Sequence, residues 1–396
     1  MLSVEAARAV MLARVGKLGG EIVALADLDG RALAADLAAT RDQPPFDAAV
    51  MDGYAFRSAD APGLLRIVGE AAAGHGFARA IAKGEAVRIS TGAPLPVGAD
   101  VVLAQEDARI NNDQLEIAGA KAGAYVRRRG GDFAAGDILL RAGRFFDATA
   151  IMAIAGAGKA QAEVTRKPKI CIHANGDELA SPGEVPRSDQ IFDSASYAVA
   201  SLLRAWGAAA KTGSMLGDER DAIAPMLKSS LQACDMVVVI GGASVGPHDH
   251  IRPIIRELGG ELLIEGISVR PGRPTWFAQM PGDKLAFGLP GNPASALVCA
   301  RLFLAPLIET MLTGAHAQAD LSFDRTLSGP MPANGSREAY VRAIASQHEV
   351  SPILDEDSSM MGVLARSNCL VRRGAQSPAL TRGAAVACLA WSPLPA

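Results

Sequence analysis

The spacing of apolar and polar positions changes rhythm several times along the chain. Residues 1–37 begin MLSVEAARAVMLARVG and read as helical, starting with an amphipathic segment, before passing into short alternations. From about Asp42 to Asp137, short β-type runs (LLRIVG, EAVRIS, DVVLAQ, QLEIAG, AYVRRR) alternate with Gly, Pro and Asn-Asp turns. That is the pattern of a small β-rich module. Over 138–165 the stretch DATAIMAIAGAGKA returns to helix, with Asp147 or Thr149 available as its N-cap.

From Arg166 onward strand and helix alternate. PKICIHA is a strand, IFDSASYAVASLLRAWG a helix closed by Gly207, and DAIAPMLKSSLQAC a further helix. DMVVVIGG, HIRPIIRELG and LAFGLPG then read as strand, helix and strand. Such alternation implies a three-layer domain around a mainly parallel sheet, whose ligands bind outside the carboxyl ends of the strands. From about residue 317, SREAYVRAIA, NCLVRRG and AAVACLAW restore a β rhythm. The expected fold is therefore α/β multidomain. Residues 166–316 form the three-layer α/β/α domain and 38–137 the β-rich domain. Residues 1–37 and 138–165 form a helical linking domain, and 317–396 a small C-terminal β-barrel.

The length of 396 residues accommodates roughly two to four domains of about 100–200 residues. Net charge is −3 and no basic stripe is present, so the sequence offers nothing to nucleic acid. No run reaches the roughly 18 uninterrupted apolar residues of a membrane span. The most apolar helix, near Ala294–Leu312, contains Arg301 and Glu309 and should be a core helix. The N-terminal segment does not read as a signal peptide. The five cysteines (Cys171, Cys234, Cys299, Cys369, Cys388) are scattered and form no CxxC, which suits reduced, buried thiols in the cytoplasm.

Two strands empty directly into glycine loops: VVVIGGASVG at Val237–Gly246 and LAFGLPGNPA at Leu285–Ala294. Backbone N–H groups in such loops and at helix N-termini suit anions, so a phosphate-bearing ligand is expected there. Gly241, Gly242 and Gly246 allow backbone geometries closed to other residues, and Ser244 offers a hydroxyl. Asp249 can N-cap the next helix or hold a divalent cation against phosphates. His248 and His250 flank it without a clear third ligand for zinc. In the second loop Gly291 permits a tight turn, and Asn292 can N-cap a helix that has Pro293 at its first position. IHANGDELASPG places Asp177 and Glu178 in a loop after a strand, and Arg270 and Arg273 straddle a Pro-Gly turn suited to oxyanions. No GxxxxGK[ST] or GxGxxG fingerprint supports an ordinary nucleotide-binding enzyme.

Seven fragments in one order (MDGYA, STGAPLPVGAD, VRRRGGD, GDEL, GGASVG, PGRP and LPGNP) make the chain resemble the molybdopterin molybdenumtransferases over essentially its whole length. This is the bacterial MoeA family, to which the E domain of gephyrin also belongs. The resemblance implies a molybdopterin-binding α/β domain and hydrolysis of an adenylylated molybdopterin. AMP leaves and molybdate enters the dithiolene, with Mg2+ assisting. It also implies an elongated homodimer, an upstream molybdopterin adenylyltransferase and acceptor molybdoenzymes as partners. Carried over by motif, Asp52, Thr91, Asp132, Glu178, Asp218 and Asp249 are the catalytic candidates, with Glu178, Asp218 and Asp249 as metal ligands. Gly241, Gly242, Ser244, Gly246, Pro290, Gly291, Asn292 and Pro293 are the substrate-binding set, and Arg270 and Arg273 the molybdate-binding pair.

The chain departs from the family pattern where lysines are usual, at Gly266, Arg270 and Arg273. Arginine keeps the charge but cannot serve as a neutral base. Asn175 stands where threonine is common, and SSMMGVLARSN keeps Ser358 and Ser359 but has Gly362 and Val363 where serine is frequent. The rival expectation is a non-catalytic molybdopterin carrier or scaffold.

Overall fold

The computed structural model describes residues 1–242, 250–315, 322–355 and 357–391. They divide into two compact units, one comprising Met1–Glu21, Gly30–Ala34 and Glu163–Ala396 and the other Ile22–Asp29 and Ala35–Ala162. The N-terminal segment is less helical than its pattern predicts. Helix α1 covers only Val4–Leu12, started by Ser3, whose hydroxyl accepts the Ala6 N–H at 3.1 Å. Gly16, Gly19 and Gly20 then weaken helix propagation, and the chain turns into the strand Gly20–Ala24.

In the second unit the described strands β1 (Gly53–Phe56), β2 (Gly63–Ala71), β3 (Glu85–Ile89), β4 (Val101–Ala104), β5 (Arg109–Asn111) and β6 (Gln114–Ile117) form a sheet in the order β4-β1-β3-β2-β6-β5. Four of the five expected runs are strands of this sheet. The fifth, AYVRRR, pairs only at Val126–Arg127, against Ala48–Ala49, because Asp47 takes the Arg128 side chain and the Arg129 backbone away from any ladder. The β5–β6 turn carries Asn112 at φ +57°, a conformation asparagine tolerates. Gly53 is dictated by packing, since a Cβ there would lie 1.9 Å from the Leu103 carbonyl oxygen on β4. Helix α2 (Ala148–Gly156) is capped by Asp147, which accepts the Ala150 N–H at 2.8 Å.

The first unit holds the expected three-layer domain. Its described strands are β7 (Lys169–Ala174), β8 (Ala209–Thr212), β9 (Met236–Ile240), β10 (Glu261–Glu265), β11 (Trp276–Met280) and β12 (Lys284–Leu289), in the order β8-β7-β9-β12-β11-β10. The first four in that order run parallel, and β11 and β10 are antiparallel additions. Helix α3 (Ala195–Ala205) covers one face. The other is covered by α4 (Arg220–Ala233) and α5 (Ile251–Glu257), whose Ile223, Leu227, Ile251 and Ile254 pack on Val237 and Val239. Burial of both faces explains the unbroken apolar run of β9.

Helix α3 starts later than its periodicity predicts. Ile191–Phe192 pair in parallel with Leu179–Ala180, and Asp193 accepts the Ser196 N–H at 3.1 Å, which sets the helix start behind it. Gly207, at φ +94°, follows its end as predicted. The apolar helix α6 (Pro293–Thr313) is 83% buried over its most apolar stretch, the core helix the sequence implies. It widens to a π-turn at Ala300–Leu304 just before Pro306, which lacks the N–H for Leu302 and would clash with that carbonyl in an ordinary α-turn.

The C-terminal strands are β13 (Ser322–Leu327), β14 (Glu338–Ala345), β15 (Glu349–Pro352), β16 (Cys369–Arg373) and β17 (Ala385–Ala390). They pair as β14-β15-β13-β17-β16, and β16 returns to β14 to close a small barrel. The segment Val269–Arg270 adds to β14 and stitches the α/β domain to the barrel. All five cysteines are buried and unbridged.

Candidate functional site

The chain leaves β7, moves outward to β8 and returns to the other side of β7 at β9. Between the carboxyl ends of β7 and β9 the connections diverge, opening a crevice of the kind where doubly wound sheets hold ligands. A cleft of about 790 Å³ lies there, lined by Asn175, Glu178, Gly241, Gly242, Gly291 and Asn292, among others. Asn175 organises it. Its backbone N–H donates to Ile240 O at 2.8 Å, and its side-chain amide donates to Leu216 O and Gly217 O, each at 3.1 Å. A threonine hydroxyl has one proton and could not reproduce both side-chain bonds.

The glycines are required by this closeness. Gly241 has φ +93°, and a Cβ on it would sit 2.4 Å from Asn175 O. Gly242 has φ +59°, and its Cβ would meet Asn175 Oδ1 at 2.3 Å. Gly291, from the loop after β12, lies against Gly241, with room for a Cβ at 3.6 Å from the Gly241 Cα. Both glycine loops therefore meet at one end of the sheet, and Pro290 lines the same cleft. Ser244, Gly246, His248 and Asp249 lie outside the described residues.

Glu178 also lines the cleft, and Asp218 is tethered to its loop because the Asp218 N–H donates to Asp177 Oδ1 at 3.1 Å. Both offer hard oxygen donors, the type Mg2+ selects, and Mg2+ commonly uses one or two carboxylates with substrate phosphates and water. Among the described residues no cluster of three or more His, Cys, Asp or Glu could hold a metal by itself. The site thus fits a cation shared with a phosphate better than a closed protein cage. His250 does not belong to any described metal cluster.

The arginine pair is divided. Arg273 lines the cleft beside Gly266, Arg252 and Glu265, whereas Arg270 lines a second cavity between the α/β domain and the barrel. There its Nη2 donates to Asn334 Oδ1 at 3.3 Å. Gly266 has φ +139°, so its backbone suits glycine and strains any lysine placed there. Pro293 opens α6 as expected, but Asn292 makes no side-chain cap. Its Nδ2 donates instead to Ser358 Oγ at 2.8 Å, and Ser358 O accepts the Ala294 N–H at 3.1 Å. Ser358 thereby joins the segment after the barrel strand β15 to the second glycine loop.

In the other unit, Asp52 and Thr91 are partners although they lie 39 positions apart in sequence: Asp52 Oδ1 accepts the Thr91 N–H at 2.7 Å and its hydroxyl at 2.8 Å. The Thr91 N–H, then its hydroxyl, hold the Asp52 carboxyl below the usual range, so it is a ready anion. Asp132 donates its N–H to Gln43 O at 3.0 Å and lines a hollow of about 810 Å³ with Phe133, Asp137 and Met152.

Sequence reading missed Arg342 and Arg373, which line the second cavity with Arg270. The available signal was an arginine on the inward phase of a strand: Arg373 shares its face with Cys369 and Val371 in β16.

Glycine loops at the switch point of a doubly wound sheet, an acidic loop beside them and an arginine-lined cavity in the same unit define an α/β protein with an open cleft at its strand ends. Comparison with known proteins narrows this class. Residues 2–158 match the MoeA N-terminal region (domain I and II), and residues 171–310 match the probable molybdopterin binding domain. A molybdopterin molybdenumtransferase from Nostoc sp. is 33% identical over 331 residues, covering 81% of this chain and 76% of that protein. Molybdopterin molybdenumtransferase 1 of Mycobacterium tuberculosis is 30% identical over 383 residues, 88% of this chain and 89% of its own. The crystal structure of the molybdopterin biosynthesis MoeA protein from Pyrococcus horikoshii superposes with a TM-score of 0.88 at 28% identity over the full length of both chains. The chain belongs to the molybdopterin molybdenumtransferase family.

Proposed function

We propose that this protein is an Mg2+-dependent molybdopterin molybdenumtransferase that hydrolyses an adenylylated molybdopterin, releases AMP and inserts molybdate into the dithiolene. The observation that carries this reading is the cleft at the switch point, where both glycine loops and Glu178 meet. Gly241, Gly242 and Gly291 let the main chain approach a phosphate without a Cβ in the way. Glu178 and Asp218, with Asp249, are the residues that would hold Mg2+. When bound, that ion would neutralise phosphate charge at the anhydride. Water adds to the adenylyl phosphorus, the anhydride bond breaks and AMP departs. Arg273 supplies positive charge at the cleft, and the cavity containing Arg270 receives molybdate as the second substrate. Asp52, Thr91 and Asp132 complete the catalytic candidates.

We further propose a cytoplasmic homodimer that takes its substrate from a molybdopterin adenylyltransferase and passes cofactor to molybdoenzymes. Five buried, unbridged thiols support a reducing compartment. Purified protein incubated with adenylylated molybdopterin, molybdate and Mg2+ should release AMP and yield cofactor that activates an apo-molybdoenzyme. Gly266, whose backbone excludes the usual lysine, favours the carrier reading at one position. Tight pterin binding by a folded dimer with no AMP release would select that carrier.

A further inference from the structure

Strand β7 carries one ring that its apolar neighbours do not explain. His173 is 3% exposed and pairs in register with Val239 of β9, so its side chain enters the apolar layer beneath α4. Leucine or phenylalanine would fill that space without desolvating two ring nitrogens. Both nitrogens are engaged: Nδ1 lies 2.8 Å from Ser214 O and Nε2 2.8 Å from Ser230 Oγ. A carbonyl can only accept, so Nδ1 carries the proton. With the ring neutral, Nε2 accepts the proton of the Ser230 hydroxyl. Cys171 Sγ lies 3.5 Å from the same nitrogen.

The ring reaches the loop that follows β8. Gly213 N–H donates to Ile172 O at 2.7 Å and Leu216 N–H to Ala174 O at 2.8 Å, so this loop continues along β7 beyond the last strand pair, Ile172 and Thr212. Between those two anchors the Ser214 carbonyl receives the imidazole proton. Asn175, two positions after His173, holds the next stretch through Leu216 O and Gly217 O. Side chains two apart on an extended chain share a face, which lets both reach one loop. Asp218 comes next, its N–H on Asp177 Oδ1 at 3.1 Å. Gly213 makes room for the ring: a Cβ there would lie 2.3 Å from His173 Cε1. Space, not a left-handed backbone, requires glycine at that position.

Resting on the reading of Asp218 as a Mg2+ ligand, we propose that His173 is the positioning residue for Asp218, its imidazole tying the loop 213–218 to β7 and to α4. Ser214 precedes Asp218 in the chain, and α4, which carries Ser230, begins at Arg220 just behind it. One ring therefore bonds the segment before Asp218 and the helix after it, and Asp218 lies in the short span between two held ends. A span ordered before the cation arrives costs less entropy to order when the cation binds. His173 touches neither the cation nor the substrate in this role; it acts through the loop.

The test compares full-length wild type, His173→Leu, His173→Asn and Ser230→Ala. Amide hydrogen exchange over 213–218 is followed by mass spectrometry on the protein alone, and AMP release is measured against Mg2+ concentration. His173→Leu should exchange this loop about tenfold faster and raise the half-saturating Mg2+ by a similar factor, the worth of one hydrogen bond. That rise should exceed any fall in kcat, and exchange over 236–240 should stay at the wild-type rate. The asparagine amide can occupy the place of Nδ1 and donate to Ser214 O, so His173→Asn should recover to within about threefold of wild type. A histidine that merely packs gives the opposite order, since leucine fills the layer and asparagine leaves a hole in it. If His173→Leu does not fold, as judged by circular dichroism, Ser230→Ala carries the test with loop exchange about threefold faster. Wild-type exchange and Mg2+ dependence in the variants overturn the proposal while leaving the transferase reading intact, and so does leucine performing as well as asparagine. Absence of AMP release by the wild type sinks the transferase reading, yet the exchange rates still decide whether His173 holds the loop.

Discussion

The two cavities of the first unit are built from opposite materials. The cleft at the strand ends is made of main chain brought close by glycine, with Asn175 as its pin and Glu178 at its wall. The cavity behind it is made of long side chains, Arg270, Arg342 and Arg373, converging from three separate strands. A site of backbone amides is rigid and reads an anion by shape, but it tolerates no Cβ at Gly241 or Gly242, where the chain touches Asn175. A site of guanidinium groups carries full charge, at the cost of desolvating each group. On the proposed function, the first would hold the phosphate of a large substrate and the second a small free dianion.

The comparison breaks most severely at Gly241. Gly241→Ala puts a Cβ 2.4 Å from a main-chain oxygen at φ +93°. The expected loss is about 2–3 kcal/mol of stability, read by urea unfolding, together with most of the AMP release. Gly291→Ala is the control, since its Cβ has ordinary contact at 3.6 Å and the residue has no positive φ. It should unfold within about 0.5 kcal/mol of wild type. Reduced turnover in that stable variant would place the second loop against substrate, whereas unchanged turnover would remove it from the phosphate site.

Next in size is Glu178→Gln, which removes a charge from the cleft without adding volume. AMP release should fall roughly 100-fold, partly recovered at high Mg2+. The melting temperature should stay close to wild type, because Glu178 is an exposed carboxylate on a loop. A full-rate variant with normal Mg2+ dependence would exclude Glu178 as a ligand.

These contrasts also show what a sequence can disclose. The cleft was legible because its parts are local: an apolar β-branched run, then glycines, gives both the strand and the loop that leaves it. The long buried helix was legible too, but its π-turn depends on where Pro306 meets the turn before it. The Asp52–Thr91 bond was not legible by spacing, since the partners meet only when β1 and β3 pair side by side. The arginine cavity was the least visible part. Arg342 and Arg373 lie in strands that close a barrel, and only closure brings them to Arg270. The division of Arg270 from Arg273 has the same origin: one residue is in a strand added to the barrel, while the other has turned back toward the cleft.

That division yields an intermediate prediction. Arg270→Met and Arg273→Met should give different defects if the two cavities have different ligands. The first should raise the molybdate KM by about tenfold, the value of one charged contact, and the second should act on the adenylylated substrate. Steady-state kinetics with each substrate varied in turn separates them. Identical effects on both KM values would merge the cavities into one functional site.

The smallest effect concerns Asp52, where charge is set by a neighbour rather than by burial. The Thr91 N–H and hydroxyl lower its carboxyl below the usual range. Thr91→Ala removes the hydroxyl and keeps the N–H, so the carboxyl should rise only part of the way back. A carboxyl depressed in the folded state contributes stability above its unfolded pKa and loses it as pH falls through the folded value. In Thr91→Ala that contribution is smaller and its loss is complete at a higher pH, and the acid limb of AMP release moves upward with the folded-state value. Because Asp52 is exposed, the global stability change at neutral pH should be slight. Carbon-detected NMR of the Asp52 carboxyl across the acid range measures the shift directly. An unchanged titration would mean that the hydroxyl bond does not persist in solution and that the N–H alone sets the charge.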